Sequence, residues 1–228
     1  MTDTMDRLVA AALPHVAFDG WGAETFAAAV ADSGVSPDVA RALCPRGAVD
    51  LAIAAHQAGD AAMVAALAKV DLGEMRIRDR IAFAVLERLK AAGDKEAVRR
   101  ASSLFALPIY AADGAKLIWG TADAIWEALG DPSRDVNWYT KRATLSGVYG
   151  SVVLFWLGDT SEGGEATRAF LDRRIEDVMR IETVKAKLRD APVLGKLMAG
   201  PLEVLSRVKA PVRAAATDLP GYWPETKK

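Results

Sequence analysis

The sequence predicts an all-helical fold, in which a helix-turn-helix module precedes a larger helical ligand domain and a C-terminal amphipathic helix. Alanine, the residue with the highest helix propensity, is frequent in this chain of 228 residues. Alternating β-branched residues, which are typical of strands, are scarce. We expect the module at 1–46, the ligand domain at 47–190, the amphipathic helix at 191–213 and a disordered tail at 214–228.

Glycine and proline divide the chain beyond the N-terminal module into successive helical segments, because both residue types interrupt helices. The approximate helical spans are 47–58, 60–70, 74–92, 94–106, 113–129, 137–157, 163–190 and 193–209. The breaks between them fall at Gly59, Gly73, Gly93, Pro108, Gly130-Asp131-Pro132, Gly158 and Pro192.

Composition excludes several classes of function. The formal net charge is −1, so the chain has no global basic field that would hold a nucleic acid. Its single cysteine, Cys44, excludes an internal disulfide and a thiolate zinc cluster. The most apolar run, Val148 to Leu157, is about half as long as the roughly 20 residues that cross a bilayer. Asp3 and Asp6 near the start do not fit a signal peptide, and we expect a soluble protein.

The first helix is predicted from an apolar stripe that follows Asp6. The members of the stripe recur at helical spacing: Leu8, Ala12, Leu13 and Val16. Pro14 lies inside this helix and should kink or shorten it, because proline removes an interior hydrogen bond. Gly20 then provides a turn.

A second helix at 24–32 and a third that starts at Pro37 complete the module. Gly34 can end the second helix in the left-handed conformation, and Ser36 can cap the third, for which proline suits the first position. Two short helices joined by a turn that contains glycine are the signature of a helix-turn-helix. Together with the preceding helix, this layout resembles the N-terminal module of the TetR family of regulators.

The charges of this module argue against DNA binding. Phosphate contacts require lysine and arginine, but residues 1–60 hold eight acidic residues against three basic ones, a net of −5. The helix that would enter the major groove, 37–43, carries only Arg41 as a base and has Asp38 where contacts with DNA would begin. A TetR-like, ligand-responsive transcriptional regulator is therefore the alternative function rather than the leading one.

The sequence contains no recognisable catalytic or metal-binding motif. His15 and His56 lie in different predicted helices, and no HExxH, phosphate loop or GxGxxG is present. Cys44 follows Leu43 at a helix end, and a lone cysteine in that position usually packs as a small hydrophobic residue. We predict a protein that is not an enzyme and that has no cofactor.

The most distinctive stretch runs from Trp126 to Ala143. Gly130-Asp131-Pro132 ends one helix, and Asp135 or Asn137 caps the next. The first turn of that helix then holds Trp138 and Tyr139, with Arg142 one turn later. Two interpretations stay open. These residue types are enriched in interface hot spots, but Trp138 can equally begin a core stripe that continues through Leu145, Tyr149, Val152 and Trp156.

One string in this stretch is distinctive: Asp135-Val136-Asn137-Trp138-Tyr139-Thr140-Lys141-Arg142-Ala143. A second tryptophan lies twelve residues before the tryptophan of this string. The string resembles the coenzyme Q (ubiquinone) biosynthesis accessory family of the ninth Coq protein. Weaker matches are Gly20-Trp21, Leu107-Pro108 and Tyr149. The resemblance extends from about residue 6 to residue 210, and the N-W-Y-T-[KR]-R string is its specific part.

The resemblance implies a TetR-like homodimer that has lost DNA binding, binds no nucleic acid and has no catalytic residues. Its C-terminal domain would hold an isoprenoid lipid or quinone precursor and present it to the di-iron demethoxyubiquinone hydroxylase. The implied partner-binding residues are Asp135, Asn137, Trp138, Tyr139 and Arg142, together with Ile125 and Trp126. The implied location is the cytoplasmic face of the inner membrane in a bacterium, or the mitochondrial matrix side for a processed eukaryotic chain.

The charge reverses between Lys185 and Arg213, where seven bases and two acids give a net of +5. A basic amphipathic helix is typical of a membrane-surface element, although a final helix packed on the body or on a dimer mate fits the pattern equally well. The predicted membrane and lipid contacts are Leu194, Leu197, Met198, Leu202, Leu205, Val208, Lys196 and Arg207. Gly200-Pro201 should kink or split this helix.

We expect the helices beyond residue 47 to enclose an apolar space for the lipid. Small side chains leave room between helices, and the candidates for this role are Ala111, Ala112, Gly114, Ala115 and Gly147. The residues that line the space are not assigned by the sequence.

Overall fold

The computed structural model describes residues 2–189 and 208–211. Within these residues the chain forms only helices, so the predicted all-helical fold is confirmed. The helices are α1 (Thr2–Asp19), α2 (Ala23–Ser33), α3 (Pro37–Leu43), α4 (Ala48–Leu67), α5 (Ile77–Ala92), α6 (Lys95–Phe105), α7 (Ala111–Ala128), α8 (Val136–Gly158) and α9 (Glu165–Arg189), with a short 3-10 helix at Glu162–Gly164.

Helices α1 to α3 form the predicted helix-turn-helix module. Gly34 ends α2 with a φ of +66°, in the left-handed region that glycine adopts without a steric penalty. Ser36 caps α3, since its Oγ accepts a hydrogen bond from the Val39 backbone N–H at 3.4 Å, and Pro37 occupies the first helical position. The turn chemistry in the sequence therefore fixes this part of the fold.

One predicted interruption of a helix is wrong, since Gly59 lies inside the single helix α4 rather than between two helices. Pro14 lies inside α1 and does not shorten it, because this helix continues to Asp19. Helix α1 is held by packing, since Leu8 and Val16 are completely buried on either side of the proline. At Gly59 the absence of a side chain makes room for the guanidinium of Arg88, which lies against the α4 backbone.

The N-terminal module packs directly on the ligand domain. Ala48, Leu51 and Ala52 of α4 and Ala97 of α6 belong to the same buried cluster as the apolar stripe of α1. The Trp21 indole N–H donates a hydrogen bond to the Ala97 carbonyl at 3.2 Å. Cys44 is buried in this cluster, which confirms its expected role as a small packing residue.

A second core lies between α4, α5, α7, α8 and α9. Met63, Val85, Ile125, Val152 and Leu171 are among its completely buried members. The predicted core stripe of α8 is confirmed for Leu145, Tyr149 and Val152, which are buried, and Trp156 packs at the edge. The two cores therefore share the central helix α4, whose N-terminal half belongs to the first core and whose C-terminal half, with Met63 and Leu67, belongs to the second.

Most of the predicted amphipathic helix and all of the tail lie outside the described residues. Val208 and Lys209 are described and are not helical, so the predicted helix does not extend through them. Their stretch of chain instead forms hydrogen bonds with the start of α8: the Ala210 N–H donates to the Arg134 carbonyl at 2.9 Å, and the Tyr139 hydroxyl donates to the Lys209 carbonyl at 3.2 Å. The other seven predicted membrane contacts cannot be placed, because their positions fall between the two described parts.

Among the described residues, no helix combines the length and the apolar character that a membrane span requires.

Substitution of Gly59 by alanine should destabilise the protein, although alanine favours a helix by about 1 kcal/mol. A Cβ atom at residue 59 would lie 2.7 Å from Arg88 Nη1 and 2.9 Å from its Cζ. Arg88 is buried and cannot move away cheaply, and overpacking of this kind typically costs about 1–3 kcal/mol. Urea unfolding gives the free-energy change.

Gly147→Ala is the matched control, because a Cβ atom there meets no other atom within 4 Å in α8. It should stabilise the protein by up to about 1 kcal/mol. Equal effects of the two substitutions would contradict the proposed packing of Arg88 on Gly59.

Candidate functional site

An apolar cavity of about 350 Å³ lies where α1 and α4 to α8 converge. Alanine, leucine, valine and aromatic side chains form most of its wall, and His56, Arg88, Ser102 and Tyr149 are the polar exceptions. This volume is at the lower end of the range of small-molecule sites, roughly 300–1,000 Å³. The cavity is therefore large enough for a ligand head group and the first part of a chain.

Only one of the five small residues expected to make room for a ligand lines this cavity. Gly114 does so, and its missing side chain lets α7 approach the end of α6, since a Cβ atom there would lie 2.8 Å from Phe105 Cβ. The four other candidates, Ala111, Ala112, Ala115 and Gly147, are exposed and lie outside the lining.

The alanines that do make the space come from α4 and α6. Ala52 and Ala55 are three residues apart on α4, and Ala97 and Ala101 are four residues apart on α6. Each pair therefore shares one face of its helix. This spacing is visible in the sequence, but it is indistinguishable there from the many other alanine pairs of the chain.

Three polar side chains of the cavity wall, His56, Arg88 and Tyr149, contact one cluster with Asp60 and Thr121 behind the wall. Arg88 Nε donates a hydrogen bond to Asp60 Oδ1 at 2.6 Å, and its Nη2 donates to the His56 carbonyl at 3.0 Å. The Thr121 hydroxyl donates to the same Asp60 oxygen at 2.8 Å, and His56 Nε2 lies 2.9 Å from Thr121 Oγ1. The Arg88 guanidinium also lies 5.9 Å from the centre of the Tyr149 ring.

Burial keeps two members of this network uncharged. Burial and the neighbouring Arg88 charge lower the pKa of His56 to about 4, against smaller opposite effects of Asp60 and the Leu117 backbone. Burial also raises the pKa of Tyr149 to about 12. Near neutral pH the cluster thus contains one ion pair, a neutral imidazole and neutral hydroxyl groups.

The cavity reaches the surface at apolar side chains. Leu13 and Leu154 both line it, yet 39% and 68% of their respective surfaces are exposed. The buried part of the wall contains Arg88 and Tyr149 together with apolar residues such as Leu117. The mouth of the cavity is therefore apolar.

A second candidate site is an aromatic surface at the start of α8, formed by Trp119, Trp138 and Tyr139. The Trp138 ring contacts Tyr139 edge-on at 4.8 Å between centroids and lies 6.0 Å from the ring of Trp119. Arg142 lies under the same ring, with its guanidinium carbon 4.0 Å from the Trp138 centroid. Trp138 is half-buried, so it is packed on one side and presented on the other.

Arg142 is itself held by a buried ionic cluster. It pairs with Asp123 through Nε and with Asp131 through Nη1, and Lys141 binds Asp131 at 2.6 Å. Burial raises the pKa of Asp131, but hydrogen bonds from Lys141, Ser133 and Arg142 outweigh this effect and leave the pKa below its ordinary value. The loop before α8 is therefore fixed to the helix by charge-assisted bonds.

The predicted partner-binding residues fall into two groups in the structure: some are accessible at the surface, and the others lie beneath it or cap the helix. Asn137 is exposed and Tyr139 is half-buried, whereas Asp135 is the cap of α8 and accepts the Asn137 N–H at 3.0 Å. Ile125 is completely buried in the core, so its predicted contact with a partner is wrong for this conformation. Arg142 is also buried, which makes it a support for Trp138 rather than a surface group.

Trp126 links the aromatic surface to a neighbouring groove. Its indole N–H donates to the Lys141 carbonyl at 3.1 Å, and its ring lines a groove of about 380 Å³. This groove lies between α5, α8 and α9, and its wall includes Asn137, Leu145 and Ile175. Sequence reasoning missed it, because it is assembled from residues up to 102 positions apart, from Ile77 to Met179.

The three basic residues of the N-terminal module all have partners in the structure. Arg7 donates to the Ser33 carbonyl at 2.8 Å, and Arg41 pairs with Asp38 on α3 at 3.5 Å. Arg46 bridges Asp50 and Asp113, which joins the module to α7. These charges are engaged within the chain, and no group of metal-ligating side chains occurs among the described residues.

The architecture first defines a class of protein: an all-helical chain with a TetR-regulator fold and a cavity of ligand size. It is similar to a TetR transcriptional regulator from Nitrosomonas europaea, with a TM-score of 0.62 and 22% sequence identity, over 75% of this chain and 95% of that chain. At this identity the likeness concerns the fold alone.

A more particular likeness lies in the segment that contains the aromatic surface. Residues 111–182 match the family model described as COQ9. The chain is 40% identical over 82 residues to the mitochondrial ubiquinone biosynthesis protein COQ9 of Rattus norvegicus. This match covers 36% of this chain and 26% of that protein. It is 30% identical over 183 residues to the COQ9 protein of Drosophila melanogaster, and this match covers 77% of this chain and 55% of that protein.

The resemblance inferred from the N-W-Y-T-K-R string is thus confirmed, and the chain carries a COQ9 family segment. The matched parts span about a quarter of the length of the rat relative, 26%, and about half of the fly relative, 55%.

The stability of the protein should fall as the pH is lowered from 6.5 to about 4. In this window the unfolded chain binds a proton at residue 56 that the folded chain does not, so protonation favours unfolding. The difference between the two pKa values corresponds to roughly 3 kcal/mol, fully present above pH 6.5 and lost progressively below it. Urea unfolding at a series of pH values measures this change.

His56→Gln should flatten the dependence in this window, whereas His15→Gln, on the other histidine of the chain, should preserve it. An unchanged slope in His56→Gln would show that other groups control the acid sensitivity.

Proposed function

We propose that this protein is a non-catalytic lipid-binding accessory protein of ubiquinone biosynthesis, which presents an isoprenoid quinone precursor to the demethoxyubiquinone hydroxylase. The observation that carries the proposal is the apolar cavity, which opens to the surface in the same chain as a COQ9 family segment. The names of the relatives, which are ubiquinone biosynthesis proteins, supply the pathway.

The cavity would lower the free-energy cost of moving a lipid out of a membrane. Exposure of an isoprenoid chain to water costs about 25 cal/mol per Å² of apolar area. A chain that leaves a bilayer through the mouth at Leu13 and Leu154 would meet apolar side chains instead of water. The protein would thereby lower the cost of moving the precursor from the membrane to the enzyme.

The aromatic surface is our candidate for the hydroxylase contact. Trp138 and Tyr139 are large amphipathic side chains, and the buried Arg142 holds the tryptophan in place. Rigid aromatic groups of this kind bind at a low cost in conformational entropy and dominate many interfaces. The adjacent groove at Trp126 could receive an apolar side chain of the partner.

The basic segment from Lys185 to Arg213 is our candidate for attachment to a membrane surface. Each suitably placed cation contributes about 1 kcal/mol near an anionic leaflet, so its net charge of +5 would support reversible binding. The carrier would then act as a peripheral homodimer, on the inner membrane of a bacterium or on the matrix side in mitochondria, where the COQ9 relatives are named as mitochondrial.

A ligand-responsive transcriptional regulator is the second candidate, since the helix-turn-helix and the overall fold favour it. The net charge of −5 over residues 1–60 opposes it, because DNA is a polyanion. A gel-shift assay at low salt separates the two functions: sequence-specific retention of DNA would favour the regulator.

Ala55→Trp should reduce the amount of lipid that co-purifies with the protein, because the new side chain fills the cavity from α4. Ala58→Trp is the matched control, three residues further along the same helix, exposed and outside the lining. Lipid extraction followed by mass spectrometry measures the bound isoprenoid. Absence of lipid from the unsubstituted protein, with no binding to liposomes, would refute the carrier function.

Trp138→Lys should abolish co-purification with the hydroxylase, because it removes the centre of the aromatic surface and places a second cation beside Arg142. Phe18→Lys is the control, since this aromatic side chain is 83% exposed on α1, outside the aromatic surface. Both variants should keep their helical circular dichroism. Loss of the fold in Trp138→Lys would instead support the core role of Trp138, and Asn137→Ala, at an exposed position, would then test the surface by itself.

A further inference from the structure

The turn that joins α6 to α7 exposes a run of apolar side chains to water. No charged side chain occurs at 101–112. In the turn itself, 49% of Leu107 and 77% of Ile109 are exposed, and Pro108 between them is exposed as well. We term these three residues the apolar tip. Exposed apolar runs in folded proteins usually mark an interaction, because they would otherwise be unfavourable in water.

The backbone holds the apolar tip in place. The Leu107 N–H donates a hydrogen bond to the Leu104 carbonyl at 3.2 Å, and the Tyr110 N–H donates to the Leu107 carbonyl at 2.9 Å. Leu104 and Phe105, directly before the tip, pack against the core of the N-terminal module. The base of the turn is thus anchored, and the exposed side chains cannot fold back into the protein without the loss of these bonds.

The apolar tip begins where the cavity reaches the surface. Phe105 and Ala106, which precede the tip, and Gly114 in the first turn of α7 all line the cavity, together with the mouth residues Leu13 and Leu154. Ala106 is itself exposed. The wall of the cavity therefore continues along the chain into the tip, and a surface that covers the tip also lies beside the mouth.

The charges next to the apolar tip are compatible with lipid head groups. Asp113, the nearest acid along the chain, is engaged by Arg46 at 2.8 Å. Arg100 and Lys116, the nearest cations on either side of the tip, are both exposed. A protein partner is normally selected by complementary charges and polar groups, which the tip lacks. A bilayer requires none of these, since it offers hydrocarbon beneath polar head groups.

We propose that the apolar tip inserts into the surface of a lipid bilayer and thereby places the mouth of the cavity against the membrane. The inference rests on the proposed carrier function, to which it adds a contact site at Leu107 and Ile109. This contact depends on burial of apolar area rather than on charge. It therefore differs from attachment through the basic segment, which requires anionic lipid and low salt.

Ile109→Ser should weaken binding of the full-length protein to vesicles of phosphatidylcholine, a neutral lipid, by about tenfold, because the apolar side chain with the largest exposure in the tip is lost. Co-sedimentation at about 0.5 M salt measures the binding, since the Debye length is then only about 4 Å and attraction between charges is screened. The substitution is at an exposed position, so the helical circular dichroism should be unchanged.

Val70→Ser is the matched control, with an apolar side chain that is 42% exposed. Val70 follows the end of α4, whereas Ala48 at the start of α4 belongs to the cluster against which Phe105 packs. A helix rises about 1.5 Å per residue, so roughly 30 Å of α4 separates the control from the tip. Val70→Ser should bind vesicles like the unsubstituted protein, within about twofold.

A fluorescent label reports insertion directly. Cys44 is the single cysteine and is buried, so a cysteine at an exposed position can be labelled selectively. Ile109→Cys with a nitrobenzoxadiazole label should show a blue shift and stronger emission when phosphatidylcholine vesicles are added. The same label on Val70→Cys should show neither change, because its end of α4 stays in water.

The outcomes distinguish this inference from the function on which it rests. Equal vesicle binding of Ile109→Ser and the unsubstituted protein, or no blue shift at residue 109, would overturn insertion of the tip. A shift that follows protein concentration without vesicles would also overturn it and would indicate a contact between two copies of the chain. Protein that carries lipid but does not bind neutral vesicles would refute the insertion alone, whereas protein with neither property would refute both.

Discussion

The buried ion pair between Arg88 and Asp60 is the interaction on which the ligand domain depends. It joins α5 to α4, and Thr121 extends it to α7 through the same carboxylate oxygen. A buried guanidinium without this partner would be strongly destabilising. The pair also requires Gly59, because a larger residue would occupy the space of the guanidinium. One charge pair therefore connects three of the helices that surround the cavity.

A second buried arginine organises the other functional region in a similar way. Arg142 binds Asp123 and Asp131 and presents its guanidinium to the Trp138 ring. In each candidate site a buried arginine thus contacts the side chains that form the site. Because such clusters fix side-chain positions, the aromatic surface is rigid in the folded protein.

The helix-turn-helix module has a structural role in this arrangement. Trp21 and Leu13 of the module line the cavity, and Arg46 ties the module to Asp113 of α7. The module and the ligand domain share one buried cluster, which includes Ala97 of α6. The N-terminal helices of this regulator-like scaffold therefore form part of the cavity wall.

The sequence by itself determined the local structure. The capping by Ser36 and Pro37 and the left-handed Gly34 follow from backbone chemistry within a few residues, and the string around Trp138 indicated the likeness to the family whose model matches residues 111–182. Only the tertiary structure decided where the cavity lies. Its wall joins residues from α1 and from α4 to α8, and Gly59 and Pro14 continue their helices because packing outweighs their local preference. Such contacts depend on how helices meet, and helical periodicity specifies which face is apolar but not which other face it will meet.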